Sequence, residues 1–414
     1  MKSHNTIIVG GGASGMLAAI ELDDKKSLLV EKNSQLGRKI LITGGGRCNI
    51  TNKAPIKEFI RNYNGNGNYY RGAFNQFFND DIIKLLEDNG CMTKIEKKKQ
   101  VFPTTDNAKD VNDTLITLVK KSNTKYELNC NIVDITKEDN YFILKTATNK
   151  VFKAENVVLA TGSDVYKNTG STGDGEKFAT KLGHTKPDDI VGLAPVAIKE
   201  DWISQLQGIA VDVKIEIKAD KKSLIKDENA SIMFTHNGLT GHIILDSSMQ
   251  INEMLKKDKK VTIHLDFVGN LNYEQLDIKL QNDFSQYKKQ GLKRYLHTYM
   301  PRNMVEVFLK HLDIESDTIL NQVTKKQRNK LKDALKNTIL TVDYVVKKQA
   351  MVKDSGISHD EIDPNTFESK IIENLYITGE LVEGSGKCGG FNLQKAFSTG
   401  VVAARSIKRK DDIN

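Results

Sequence analysis

The stretch "NTIIVGGGASGMLAAIELDDKKSLLVE", residues 5–31, constrains the fold more than any other part of the chain. A short apolar run ends in a cluster of glycines. A helix-forming segment, "MLAAIELDD", follows, and a second apolar run, "SLLVE", closes on an acid. A strand, a glycine turn, a helix and a strand within so few residues make the opening unit of a doubly wound α/β domain. Gly10, Gly12 and Gly15 stand in the spacing G-x-G-x-x-G, which gives a sharp turn, lets backbone approach a pyrophosphate and packs the helix tightly. Ala13 and Ser14 lie inside this turn and belong to the same candidate site. Glu31 follows Gly10 by 21 residues, where a carboxylate accepts hydrogen bonds from an adenosine ribose. An acid there repels a 2′-phosphate, so the pattern favours FAD or NAD over NADP.

Composition excludes several classes. A chain of 414 residues is long for one core, so two or three packed units are expected. With 39% hydrophobic and 28% charged residues it reads as globular. No stretch reaches the roughly 20 apolar residues of a membrane span. The N-terminal apolar run is broken by glycines and leads into acids, unlike a signal peptide, so a cytoplasmic protein is expected. Cys48, Cys91, Cys130 and Cys388 are scattered and the eight histidines dispersed, so neither a metal site nor a disulfide framework is expected. The net charge of +8 is uneven: residues 271–350 hold 15 Lys+Arg against 9 Asp+Glu. That concentration keeps nucleic acid in view as a partner, although a single lysine-rich helix more often marks a solvated surface.

Two later segments extend the opening pattern. "ENVVLATG", residues 155–162, reads as a buried strand ending in small residues, and "ENLYITGE", residues 373–380, repeats that form before a final helix, "FNLQKAFSTGVVAA". Flavoproteins of the glutathione-reductase and fumarate-reductase type share this order, and in them the last helix points its N-terminus at the flavin. A reduced flavin carries negative charge that a helix N-terminus stabilises. Between these parts the texture changes. From residue 193 to about 267, segments such as "VDVKIEIKA" and "KVTIHLDF" alternate as antiparallel strands do. From 272 to about 337 the period is helical, with Leu276, Leu280, Phe284 and Tyr287 on one face, and "TKKQRNKLKDALKN" is a strongly basic helix. The expected division is a first nucleotide-binding part at 1–192, a β-rich insertion at 193–270, a basic helical piece at 271–340, and a closing nucleotide-binding part at 341–414.

The motifs "IIVGGGASGMLAA", "GRKILITGGGRCNITN", "VFPTTDNAKDV", "VVLATG" with "TGSTGDG", "FTHNGLTG", "DPNTFESK" and "YITGE" with "GGFNLQKAFSTG" run along the whole chain. In them the sequence resembles the BaiN/YhiN-like flavoproteins, also described as aminoacetone-oxidase-family or NAD(P)/FAD-dependent oxidoreductases. The resemblance implies an α/β fold: a Rossmann-type FAD-binding domain carrying an inserted β-barrel and a small helical subdomain. It implies FAD contacts at Lys32, Arg38, Lys39, Gly45, Gly46, Val133, Thr161, Gly162, Gly379, Glu380, Gly390, Asn392 and Leu393, besides the first turn. Some members reduce a C=C bond of bile-acid intermediates, and others reduce a uridine of large-subunit (23S) ribosomal RNA to dihydrouridine. The shared expectation is hydride transfer from reduced flavin to an activated alkene. A metabolite such as an unsaturated ketone or an amino-ketone is the alternative substrate class. Ser163, Lys167, Lys99-Gln100, His242, Cys388 and Phe391 depart from the family pattern.

Reduction of an alkene also needs an acid, and Cys48 in the glycine-rich loop, His236 in "FTHNGLTG" and Cys388 beside Gly389 are the candidates. Each has an ordinary reading too: a small core residue, a turn cap, a loop side chain. Arg47, flanked by glycines, is suited to a phosphate or a flavin carbonyl. Asn392 reads as the cap of the last helix, with its amide toward the flavin. "TGSTGDGEKFATKLG" lacks a following strand and acid, so NAD(P)H, the expected reductant, is expected to dock directly against the flavin.

Overall fold

A computed structural model describes residues 2–186 and 189–412. The chain forms two compact units, Gly192–Ala350 and the remainder on either side of it, Met1–Val191 with Met351–Asn414.

The larger unit is built on one sheet. Its first strand, Lys2–Val9, ends in four consecutive buried residues, as expected of a strand covered on both faces. It pairs in parallel with Leu28–Val30 on one side and Val151–Leu159 on the other, and Lys125–Glu127 extends the parallel edge. The far edge of Val151–Leu159 is divided. Its first residues pair antiparallel with Tyr141–Thr146, which pairs in turn with Ile132–Glu138. Its last three residues pair in parallel with Leu375–Ile377. Register places Val9 beside both Val30 and Leu159, and Leu159 beside Ile377. Four parallel strands thus end at one level, and the chain leaving each of them enters the same space. That is where open α/β sheets bind ligands. The last helix, Phe391–Asp411, buries Phe397, Val401 and Ala404 completely, a helical repeat that faces the core.

The second unit is a closed barrel with helices attached. Around the barrel, the neighbours in order are Val196–Ile198, Gly238–Thr240, Lys222–Phe234, Ala210–Ala219, Val261–Asp266 and Thr338–Val345, and the last pairs back to the first. The closing strand comes after the helices in sequence, so the β-rich and helical stretches form one unit. Within the stretch read as strands, residues 242–256 are instead a helix, His242–Lys256, whose buried Ile244, Leu245, Ser248 and Ile251 recur with helical spacing. Helix Tyr273–Gln286 buries Leu276, Leu280 and Phe284 as expected. Tyr287 ends that helix and is 47% exposed, so the apolar face stops one turn earlier than the pattern suggested.

Candidate active site

The chain leaving the four strand ends lines one open cleft in the larger unit, enclosing about 1340 Å³ of empty space. Gly10, Gly12, Ala13 and Ser14 come from the first strand, Glu31, Lys32, Arg38 and Lys39 follow the second, and Thr161 and Gly162 follow the central one. Gly379 and Glu380 follow the last strand, and Asn392 and Leu393 open the final helix. The lining runs from the first glycine turn to the start of the last helix, an elongated wall suited to an extended ligand. Gly10 has φ +107°, and a Cβ at Gly15 would sit 1.9 Å from the Gly10 carbonyl oxygen, so Gly15 sets the packing behind the turn rather than the wall of the cleft.

Chemistry in the cleft fits a dinucleotide. Glu31 is buried, and its Oε2 accepts from the Gly11 amide at 2.7 Å. Its Oε1 accepts from Asn33 through the backbone amide at 2.8 Å and the side-chain amide at 2.6 Å. A carboxylate offers about four acceptor positions, so one remains for a hydroxyl. The hydroxyls of Ser14 and Thr161 are buried without a hydrogen-bond partner, although both residues line the cleft. Ser14 lies in the first turn of helix Ala13–Leu22, where amides are free to meet an anion. Lys32 is paired with Asp174 at 2.7 Å, and Lys39 with Glu380 at 2.5 Å, so two cations of the cleft are already held in place.

Two further cations were not foreseen. Lys353 is almost fully buried, within 3.0 Å of Asp164, 2.8 Å of Glu176 and 2.9 Å of Asp189. Burial alone would lower its pKa, but the three carboxylates outweigh it and hold the ammonium well above the usual lysine range. Lys395, one turn into the last helix, donates to the carbonyls of Val382 at 2.7 Å and Gly384 at 2.5 Å, and burial pulls it down to about 8. Lys353 lies in no motif with a mechanical reading and its carboxylates are distant in sequence, whereas Lys395 lies inside the final-helix motif, where only the helix start was read. Asn33, Cys130, Asn131 and residues 169–172 also line the cleft.

Several expected positions lie elsewhere. Asn131 and Ile132 line the cleft, whereas Val133 is 51% exposed and absent from its wall, because successive strand residues face opposite ways. Gly44, Gly45 and Gly46 all have positive φ and reverse the chain, and neither Gly45 nor Gly46 lines the cleft. The reversal turns Arg47 away: its guanidinium pairs with Glu96 and Asp106, each at 2.5 Å, and lies 4.1 Å from the ring centre of Phe102. Cys48 is wholly buried with φ +61°. Burial pushes its thiol up to about 12, even though a hydrogen bond with Thr43 works the other way. Such a thiol is a core group and not a ready proton donor. Cys388 sits half-buried in the loop before the last helix, outside the lining of the cleft. His236 is exposed in a turn of the second unit, between Lys222–Phe234 and Gly238–Thr240.

The residues after the triple glycine act as a brace. Asn52 donates to the Gly389 carbonyl at 3.1 Å, and Thr51 donates to Gln394 at 2.6 Å. Gly390 caps the last helix. Its place against Thr51 leaves no room for a side chain, since a Cβ would lie 2.4 Å from the Thr51 carbonyl oxygen. Asn392 is therefore not the cap; its side chain accepts from the Gly386 amide at 2.8 Å and donates to the Gly386 carbonyl at 2.7 Å. The signature loop fixes where the last helix begins.

A family model described as the HI0933-like protein Rossmann domain matches residues 4–406. The chain belongs to that family. Among HI0933-like relatives, the 3-dehydro-bile acid delta(4,6)-reductase of Clostridium scindens is 27% identical over 409 residues, 97% of this chain and 98% of that protein. The ribosomal RNA dihydrouridine synthase of Escherichia coli is 27% identical over 414 residues, 98% of each. Among solved structures, a quinol-fumarate reductase with menaquinol molecules matches at TM-score 0.52 and 14% identity, covering all of this chain and 73% of that one. The 3-ketosteroid-delta4-(5alpha)-dehydrogenase of Rhodococcus jostii matches at TM-score 0.50 and 14% identity, covering 98% and 97%. At that identity the structures speak for the fold, a Rossmann-type FAD-binding architecture. With the family and the cleft, this HI0933-like chain is an FAD-dependent oxidoreductase. Among the described residues, no helix is long and apolar enough to cross a membrane, and no group of His, Cys, Asp or Glu is placed to hold a metal ion.

Proposed function

We propose that the protein uses NAD(P)H to reduce an activated C=C bond, and that the alkene is the uracil ring of a uridine in large-subunit ribosomal RNA. FAD bound in the cleft would pass a hydride taken from NAD(P)H to one alkene carbon, and a proton drawn from water would complete the neighbouring carbon. The chain's own part is to bind and orient. The free acceptor position of Glu31 takes a ribose hydroxyl, and the free amides of the first helical turn take the pyrophosphate. The loop braced by Thr51 and Asn52 sets the start of the last helix, whose positive end favours an electron-rich flavin.

One observation carries the choice of RNA. In the helical part of the inserted unit, Lys288, Lys289, Arg294, Arg302, Lys325 and Lys326 are exposed and make no ion pair among the described residues. Their neighbours Lys279, Lys293, Arg328 and Lys336 are paired with Asp283, Glu306, Asp277 and Asp266. Unpaired cations gathered on one part of a chain suit a phosphate backbone. The equal identity to a bile-acid reductase supports a second reading, a small unsaturated metabolite. Mass spectrometry of ribosomal RNA nucleosides from a strain lacking the protein separates the two. Loss of one dihydrouridine is expected, and an unchanged content sinks the RNA reading while leaving the flavin reductase standing.

A further inference from the structure

A second cavity lies in the larger unit, away from the cleft, with about 760 Å³ of empty space. Its lining includes Lys57, Arg61 and Arg71, and no carboxylate. Lys57 and Arg61 are four residues apart on one helical run, Ile56–Phe59 continuing into Ile60–Asn62, so they present like charges on the same side. Neither makes an ion pair among the described residues, and the nearby Glu58 is taken by Lys99 at 2.7 Å. Arg71 is steered by a hydrogen bond to the Asn68 side chain at 3.0 Å, which leaves the rest of its guanidinium available. Three exposed cations thus border one cavity whose lining holds no carboxylate, an arrangement that suits an anion.

The cavity is joined to the flavin cleft by the chain itself. The loop that walls it runs on from Asn62, whose carbonyl accepts from the Lys387 amide at 2.8 Å. The Asn64 amide donates to the Ser385 carbonyl at 2.9 Å, and Tyr63 donates to the Phe391 carbonyl at 2.6 Å. Ser385, Asn392 and Leu393 line the cleft. Tyr63 lines the cavity and Ser385 the cleft, so the chain bordering the cleft is hydrogen-bonded to the loop that runs along the cavity. Among the described residues there is one strand–glycine-turn–helix unit with its terminal acid, and FAD accounts for it. A second dinucleotide has to hold its phosphates by side chains.

We propose that Lys57, Arg61 and Arg71 form the phosphate site of the nicotinamide dinucleotide, which binds here with its hydride-bearing end toward the flavin cleft. This rests on the reading that NAD(P)H is the reductant. The cavity is wider than a phosphate, so it also admits the adjoining ribose.

The test is stopped-flow reduction of the FAD-loaded protein by NADPH and by NADH under anaerobic conditions. Lys57→Ala, Arg61→Ala and Arg71→Ala are each expected to raise the apparent Kd for the dinucleotide about tenfold, the size of one charge-assisted contact. The limiting rate at saturation, the FAD content and the rate of reduction by dithionite should stay at wild-type values. Arg61→Lys should recover part of the loss, and weakening confined to NADPH would support the site and place its 2′-phosphate there. An unchanged Kd in the triple variant overturns the proposal while leaving the reductant reading intact. Weakened binding of a ribosomal RNA fragment with dinucleotide Kd unchanged also overturns it and gives the cavity to RNA. If neither dinucleotide reduces the wild-type flavin, the reductant reading fails and the site falls with it.

Discussion

The chain has two glycine clusters, residues 10–15 and 44–46, and they do opposite things. The first borders the cleft: its spacing lets a helix begin close behind the strand end, with the free amides of its first turn beside the cleft. The second is a reversal, three glycines and then Cys48 in the left-handed region, and its work is done by the residues it delivers, Thr51 and Asn52. Similar composition thus serves ligand contact in one place and chain placement in the other. What separates them is their surroundings: a parallel strand end in the first case, the last helix in the second.

That contrast can be broken at its strongest point by Gly15→Ala. The new Cβ would meet the Gly10 carbonyl oxygen at 1.9 Å, a backbone atom that cannot swing aside as a side chain would. Purified protein should retain less than about a tenth of its FAD, read from flavin absorbance; near-normal content would show that the turn tolerates displacement. Thr51→Val probes the brace. It keeps the shape but leaves the Gln394 oxygen without its donor, and a loss of about 1–3 kcal/mol in denaturant unfolding is expected, with FAD affinity falling less than for Gly15→Ala.

A smaller effect concerns pH. The Cys48 thiol is pushed up to about 12 in the folded chain, above its value in the unfolded one near 9, so the unfolded state loses its proton first as pH rises. The stability this group contributes is present below pH 9 and declines by about 1.4 kcal/mol per unit above it. Cys48→Ala should flatten that alkaline decline in urea titrations while leaving turnover at neutral pH within about twofold of wild type. A large loss of turnover would restore Cys48 as a proton donor. Least is expected of Arg47→Ala: its partners are a half-buried Glu96 and an exposed Asp106, outside the lining of the cleft, and FAD affinity should stay within about twofold.

Legibility followed the reach of the interactions. The first strand, its glycine turn and Glu31 could be read because the pieces are consecutive and their geometry is local. The family motifs carried the FAD-binding architecture and the inserted barrel. Local pattern failed where a partner lies far along the chain. Lys353 is an unremarkable lysine until Asp164, Glu176 and Asp189 surround it. Helix His242–Lys256 was hidden among strands because its apolar residues are interleaved with serines that are buried as well. Arg47 and Cys48 were misread for one reason: a positive-φ run sends the chain where residue type cannot foretell.

The Lys353–Asp189 pair has a topological consequence. These two residues bracket the inserted unit, one shortly before the chain departs and one just after it returns, and their charged atoms are 2.9 Å apart. The two ends of a detour of about 160 residues are thus clasped at the root by a buried charge. Such a clasp makes the insertion a cassette. A chain in which a short linker replaces Gly192–Ala350 is expected to keep its stumps in register, so the insertion can be exchanged without rebuilding the larger unit.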